Sequence, residues 1–338
     1  MNVTPAKNFQ RAFFDRLEAR FQKRSKMVLA VADLLSIGRD AVYRRLRGDT
    51  VLSADELMLL ARTFDIRLDD RHPLQADDPR ISYPPGMENI TSELQYYQLL
   101  EAQCLHMAAL PDVSIDYATP ELPLYYELFT PTLLAFKTFV YGLTTWNFKK
   151  WKNLQFQAEL IDPEVFRIAK RLVPVLFDLP GRELWSIGIL DITLRQIEHA
   201  VETGRLNNLV LKEQMFTEIE AIIVHMEAMT RSGKRFPPED KAQADRPDFE
   251  VYQNELSNTS NVVIIKSPVQ SLVYATFINP NYLISSDERI QHQMETWFDN
   301  LVEGANGLNA NSSRSNLRFF ASLRRNVAAT KARIDTFI

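Results

Sequence analysis

Arg39, Tyr43 and Arg47 recur at four-residue steps in the segment Arg39-Asp40-Ala41-Val42-Tyr43-Arg44-Arg45-Leu46-Arg47, with Asp40 and Arg44 beside them. Residues four apart share a helix face, so this spacing puts guanidinium forks, a phenol and a carboxylate on one side of a short helix. Val42 and Leu46, also four apart, make an apolar stripe elsewhere on it. Folding requires only the stripe. The polar face carries groups that suit the edge of DNA: a planar guanidinium can span O6 and N7 of guanine, a contact worth about 1–3 kcal/mol of discrimination. Gly48 follows, where glycine ends a helix in the left-handed conformation without steric cost.

The neighbouring elements must hold that face outward. Phe9, Phe13, Leu17 and Phe21 predict a helix over residues 7–24 that buries an aromatic edge and turns Arg11, Arg16, Arg20, Lys23 and Arg24 toward water or phosphate. Met27 or Val28, Val31, Ala32 and Leu35 predict a second helix, and Ser36-Ile37-Gly38 interrupts the pattern before the arginine-rich one. Ser53 and Glu56 stand at capping-box spacing ahead of Leu57, Leu60, Ala61 and Phe64, and Ile66 and Leu68 close the small core. A helix, a three-residue turn and a second helix that is basic outside and apolar inside describe a helix-turn-helix.

Residues 27–70, with the leading helix from about residue 7, resemble the Cro/C1-repressor (XRE) type of DNA-binding domain. The family's first-helix alanine corresponds to Ala32, its apolar turn residue to Ile37 and its inward recognition-helix position to Val42. Its arginine-glycine ending corresponds to Arg47-Gly48, and its fourth-helix serine, leucine and alanine to Ser53, Leu57 and Ala61. Three positions depart: Ser36 replaces the usual turn glycine, Gly38 the usual helix-opening serine, and Val28 a glutamine that in many relatives reaches DNA. The resemblance implies a transcriptional regulator partnered by double-stranded DNA. Arg39, Asp40, Tyr43 and Arg44 are then candidate base-edge readers, and Lys23, Arg24, Lys26 and Arg47 candidate phosphate partners. It also implies a homodimer on a palindromic site, because one module makes a limited interface.

Charge agrees with a polyanion partner at this end of the chain. The 338 residues carry a net charge of −4, yet residues 7–47 hold 11 basic and 4 acidic side chains. A hydrophobic content of 46% suffices for two or three packed domains, with no apolar run of membrane-spanning length and no signal-peptide order, so a soluble cytoplasmic protein is expected. Cys104 is the only cysteine, which excludes an intrachain disulfide or a thiolate metal cluster. The P-loop, nucleophile-elbow, HExxH and dinucleotide patterns are absent, and His106, His199 and His225 lack ligand spacing. No cofactor, metal or enzymatic activity is expected.

The expected fold is mainly α, with an amino-terminal helix-turn-helix over 1–70, a linker over 71–87, a helical domain over 88–231, a second linker over 232–248, and an α+β region over 249–338. That last region is expected to contain a small antiparallel sheet from Phe249–Leu256, Val262–Lys266 and Ser271–Ile278. The unbroken Val262-Val263-Ile264-Ile265 predicts a strand covered on both faces. In the helical part, Leu211, Met215, Ile219, Ile222, Met226 and Met229 form a seam open to two readings, core packing or self-association. Trp146-Asn147-Phe148-Lys149-Lys150-Trp151-Lys152 interleaves aromatics and cations, as a nucleic-acid stacking platform would, or as buried indoles beside solvated lysines. Ser312, Ser313, Arg314 and Arg318 at a helix start suit either an anion or ordinary capping. The region beyond the first domain is expected to dimerise or to sense a small-molecule or protein effector. The alternatives are an enzyme or defence-type effector autoregulated by the helix-turn-helix, or a protein-interaction scaffold.

Overall fold

In the computed structural model, residues 5–21, 23–64, 66, 81–255, 260–309 and 313–337 are described. Leu68 and the larger part of the expected first linker lie outside them. Contacts divide the chain into two compact units, Met1–Asp78 and Pro79–Ile338. Among the described residues, no helix is long and apolar enough to cross a membrane.

The first unit contains α1 (Pro5–Ala19), α2 (Arg24–Leu35), α3 (Arg39–Arg47) and α4 (Ala54–Thr63). Its core joins Phe13, Phe14 and Leu17 to Met27, Val28, Val31, Ala32, Val42, Leu52, Leu60, Ala61 and Ile66. Phe14 is buried where the four-residue pattern names Phe9, which is exposed. The inward stripe of α1 therefore includes Gln10, Phe13, Phe14 and Leu17, the i, i+3, i+4, i+7 set of a wider helical face. The capping box of α4 is formed: Ser53 Oγ accepts from the Glu56 amide at 3.1 Å, and Glu56 Oε2 accepts from the Ser53 amide at 2.8 Å.

The second unit is built on a seven-stranded mixed sheet of order β6-β5-β4-β1-β2-β3-β7. Its strands are β1 (Ser114–Thr119), β2 (Gly181–Trp185), β3 (Phe249–Gln253), β4 (Val262–Lys266), β5 (Leu272–Ile278), β6 (Asn281–Ser285) and β7 (Asn306–Gly307). Parallel pairs join β1 to β2 and β2 to β3, whereas β4, β5 and β6 add antiparallel on one side and β7 on the other. The crossover from β1 to β2 contains α6 (Leu124–Glu127), α7 (Pro131–Thr144) and α8 (Pro163–Leu176); that from β2 to β3 contains α9 (Asp191–Glu202) and α10 (Leu209–Ser232). α5 (Glu93–Ala108), α11 (Glu288–Glu303) and α12 (Ser313–Ile334) complete the unit. Ser82 exchanges backbone hydrogen bonds with Ile284 along β6, covering part of that sheet edge.

This architecture corrects the expectation of a mainly α fold with a small carboxy-terminal antiparallel sheet. β1 and β2 arise within the stretch read as helical, and they separate β3 from β4, which were expected to be neighbours. The reason is electrostatic. Asp116 and Arg182 give β1 and β2 a polar, broken appearance, but they are register partners, and Arg182 Nε and Nη2 donate to the two carboxylate oxygens at 2.9 and 2.6 Å. Lys266 of β4 completes the cluster at 2.6 Å. Both sheet faces are covered. Ile115, Tyr117, Trp185, Phe249, Val251, Ile265 and Leu272 enter the main core with α5, α7, α8, α10 and α12, while Ala118, Leu184, Val262, Ile264 and Val273 meet Phe298 of α11. Val262–Lys266 is thus covered on both faces, as its unbroken apolar run predicts.

α10 also decides between the two readings of its seam. Met215, Ile219, Ile222, Met226 and Met229 are fully buried, and Leu211 packs half-buried against the same core. α7, α12 and β3 occupy the seam from within the unit, so it is not a surface for self-association.

Close approach of β1 and β2 requires glycine at position 181. A Cβ there would lie 2.1 Å from the Ile115 carbonyl oxygen, which is backbone and cannot rotate away. Gly181→Ala is expected to destabilise the chain by about 2–3 kcal/mol in denaturant unfolding. Gly304→Ala, whose added carbon would meet only ordinary 4.0 Å contacts, is expected to change stability by less than about 0.5 kcal/mol.

Candidate nucleic-acid interface and an apolar cavity

α3 sorts its residues as its spacing predicts. Val42 is fully buried and Leu46 half-buried, while Arg39, Asp40, Tyr43, Arg44 and Arg47 are exposed. Among the described residues, the side chains of Arg39 and Arg44 make no hydrogen bond or ion pair. Arg47 reaches only the exposed Asp49, at 2.8 Å, a pair that solvent screens strongly. Lys23, Arg24 and Lys26 are exposed around the start of α2, with Arg24 Nε 3.7 Å from Glu18.

Arg45 is withdrawn from that face. Its guanidinium donates to Glu56 Oε1 at 2.7 Å and to the Ala41 carbonyl at 3.3 Å. Burial pushes the Glu56 carboxyl up, but the Ser53 amide and the Arg45 guanidinium outweigh it and hold the group below its ordinary value. Glu56 therefore caps α4 and anchors α3 with one carboxylate. Gln10 holds the far end of α3: its Nε2 donates to the Arg45 and Thr50 carbonyls at 2.7 and 2.8 Å, and its Oε1 accepts from the Leu52 amide at 2.7 Å. Neither Gln10 nor Arg45 stands out in the sequence. Each takes its role from a partner brought close by folding.

The three departures from the family pattern have different consequences. Val28 lies in the core at 1% exposure and is removed from any ligand. Ser36 adopts a left-handed conformation, φ 53° and ψ 42°, which glycine would occupy without strain. Gly38 precedes α3 in extended backbone, φ −69°, and supplies no side-chain cap; a Cβ added there would have no neighbour within 4 Å.

Elsewhere the sequence candidates disperse. Trp146, Phe148 and Trp151 are buried, leaving Lys149, Lys150 and Lys152 exposed with no aromatic platform. Ser312 and the side chain of Ser313 lie outside the described residues, while Arg314 and Arg318 are exposed. The adjacent Asn316 is buried and donates to Thr230 Oγ1 and the Leu308 carbonyl at 3.0 and 2.7 Å, which binds α12 to α10. Among the described residues, no three His, Cys, Asp or Glu side chains are grouped to hold a metal ion.

The second unit contains a partly enclosed cavity of about 110 Å³. Leu100, Gln103, Cys104 and Met107 of α5, Ile115 and Tyr117 of β1, Leu124, Tyr125 and Leu128 of the α6 region, Leu176, Val263, Tyr274 and Tyr282 line it. An unfilled cavity of this volume forgoes about 2–3 kcal/mol of packing. Burial pushes the Cys104 thiol up to about 12, so it is a neutral wall group that reacts only slowly with electrophiles. Tyr125 donates to Glu183, which also accepts from Arg235 and from Trp185 Nε1; Arg235 and Glu183 are both fully buried. Seven separate segments supply the cavity wall, and no local sequence pattern announces it. Comparison of the chain with protein-family models, curated proteins and solved structures finds no match.

Gly38 and His225 sit in environments with measurable consequences. Gly38→Ser supplies the missing α3 cap and reduces the freedom of the unfolded chain, and should slow amide exchange in the first turn of α3 by an amount equivalent to about 0.5–1 kcal/mol. His225, ringed by Phe129, Phe177 and Phe236, is pushed by burial from 6.5 down to about 4. Between those values the unfolded chain binds a proton that the folded chain does not, so this side chain lowers stability as pH falls from about 6.5 to 4. Relative to the parent, His225→Phe should gain about 2–3 kcal/mol between pH 7 and pH 4 in denaturant titrations.

Proposed function

We propose that the chain is a sequence-specific DNA-binding transcriptional regulator, with α3 entering the major groove. The observation that carries this reading is the division of labour among the four arginines of α3. Arg45 is tied into the fold by Glu56, and Arg39, Arg44 and Arg47 remain on the solvent side with Asp40 and Tyr43. An arginine-rich face that folding does not need, on a helix clamped by Gln10 and Glu56, suits direct reading of base edges. Lys23, Arg24 and Lys26 suit phosphate contacts, which add salt-dependent affinity without choosing sequence. One such helix makes a small interface. Two copies on half-sites one helical turn apart form the expected complex, with the dimer contact lying outside the buried α10 seam. The larger unit is assigned to regulation, its cavity receiving an effector.

The test is binding of the full chain to DNA selected from a random-sequence pool. Replacing Arg39, Arg44 and Arg47 together by alanine should weaken binding at least 100-fold and flatten its salt dependence, with folding unchanged by circular dichroism. Binding that persists at parental affinity would refute the assignment of α3.

A further inference from the structure

We infer that the cavity between α5, the α6 region and strands β1, β4, β5 and β6 binds a small uncharged aromatic molecule, of single-ring size, whose one hydrogen-bonding group meets Gln103. Binding here deepens the effector role proposed for the cavity and rests on it, and it is tested without DNA, so its failure leaves the proposed role of α3 untouched.

Size sets the first limit. An apolar cavity of about 150 Å³ stays dry and accepts benzene, and this cavity, at about 110 Å³ and partly open, is of the same order. It is too small for a drug-sized or nucleotide ligand, which needs about 300 Å³ or more.

Wall chemistry sets the second. Leu100, Leu124, Leu128, Leu176, Ile115 and Val263 present carbon, and three of the four tyrosine hydroxyls nearby, those of Tyr117, Tyr125 and Tyr282, already have partners. Tyr117 and Tyr282 face each other at 3.4 Å, and Tyr125 donates to Glu183. A buried water needs about two to four polar partners, and besides the weakly polar Cys104 thiol this wall offers the Tyr274 hydroxyl and Gln103. Gln103 lines the cavity half-buried, and its side-chain amide hydrogen-bonds to nothing among the described residues. It can donate to, or accept from, a hydroxyl or carbonyl on the ligand.

Charge sets the third. The cavity wall contains no ionised side chain, and the buried Glu183 and Arg235 behind Tyr125 are already paired with each other. An ionic ligand would lose its hydration with no counter-charge to replace it, so the ligand is neutral. An aromatic ring is favoured over an alkyl chain because Tyr117, Tyr125, Tyr274 and Tyr282 offer ring faces and edges, and Met107 a polarisable sulfur, around one small volume.

Cys104, the only thiol in the chain, lies in the cavity wall and reports occupancy directly. Phenol, toluene, benzoate and 1-butanol are the probes, added to the full-length protein while Cys104 is alkylated with iodoacetamide and, separately, while thermal unfolding is followed. Phenol at ten times its Kd should slow alkylation roughly tenfold and raise the Tm. Toluene should protect more weakly, and benzoate and 1-butanol should protect little at the same concentration. Gln103→Leu should reduce phenol's affinity to that of toluene and leave toluene's unchanged. Leu100→Trp, which fills the space, should abolish protection by both; if that variant does not fold, the Gln103→Leu comparison still decides. No protection by phenol or toluene, protection that survives a folded Leu100→Trp variant, or equal protection by benzoate or 1-butanol would overturn the inference.

Discussion

A carboxylate inside a protein core is tolerable only when its charge is answered there, and the larger unit is arranged around that requirement at Glu183. This residue of β2 has no solvent exposure, and Arg235, from the segment that follows α10, reaches it through the core. Arg235 also donates to the Leu179 carbonyl at 3.1 Å and lies 4.4 Å above the Phe249 ring. Removing one partner of such a pair costs about 3–5 kcal/mol, because the other is left buried and charged. The pair therefore links strand β2, the crossover that leaves it and the strand β3 that ends the crossover. Asp116, Arg182 and Lys266 serve a similar purpose on the opposite face, across β1, β2 and β4. Trp185 and Tyr125 complete the hydrogen bonding of Glu183, and Tyr125 in turn forms part of the cavity wall. The cavity thus stands on a fixed polar base.

The first unit uses the same economy at smaller scale. Glu56 answers Arg45 and caps α4 with one carboxylate, and Gln10 satisfies three backbone groups around the end of α3. These contacts consume one arginine and leave Arg39, Arg44 and Arg47 exposed. For the proposed role in DNA binding α3 must be rigid, because ordering it on binding would subtract from affinity. Rigidity here comes from its last turn and its buried face, since Gly38 leaves the first turn without a side-chain cap.

What was legible in the sequence was local. The inward stripe of α3, the break at residues 36–38, the Ser53–Glu56 capping box and the doubly covered strand Val262–Lys266 each depend on neighbours within a few residues. What was illegible depended on distance along the chain. Asp116 and Arg182 carry no local sign of a partnership that spans 66 residues, and Lys266 joins from 150 residues away. Glu183 likewise meets Arg235 across 52 residues. Without those pairs in view, β1 and β2 look too polar for a sheet centre, and the sheet contracts to its carboxy-terminal strands. The α10 seam was visible, but its periodicity is the same whether the covering surface belongs to this chain or to another. The cavity has no periodicity at all, since its wall is assembled from seven segments.

Whether the exposed face of α3 reads DNA sequence is settled by incubating the full-length protein with sheared genomic DNA at moderate salt, recovering the bound fragments and sequencing them. A reading helix of this kind should enrich one inverted-repeat sequence whose half-sites are centred about 10–10.5 base pairs, or a multiple, apart. Recovery of fragments with the composition of the input, or of none, would contradict it.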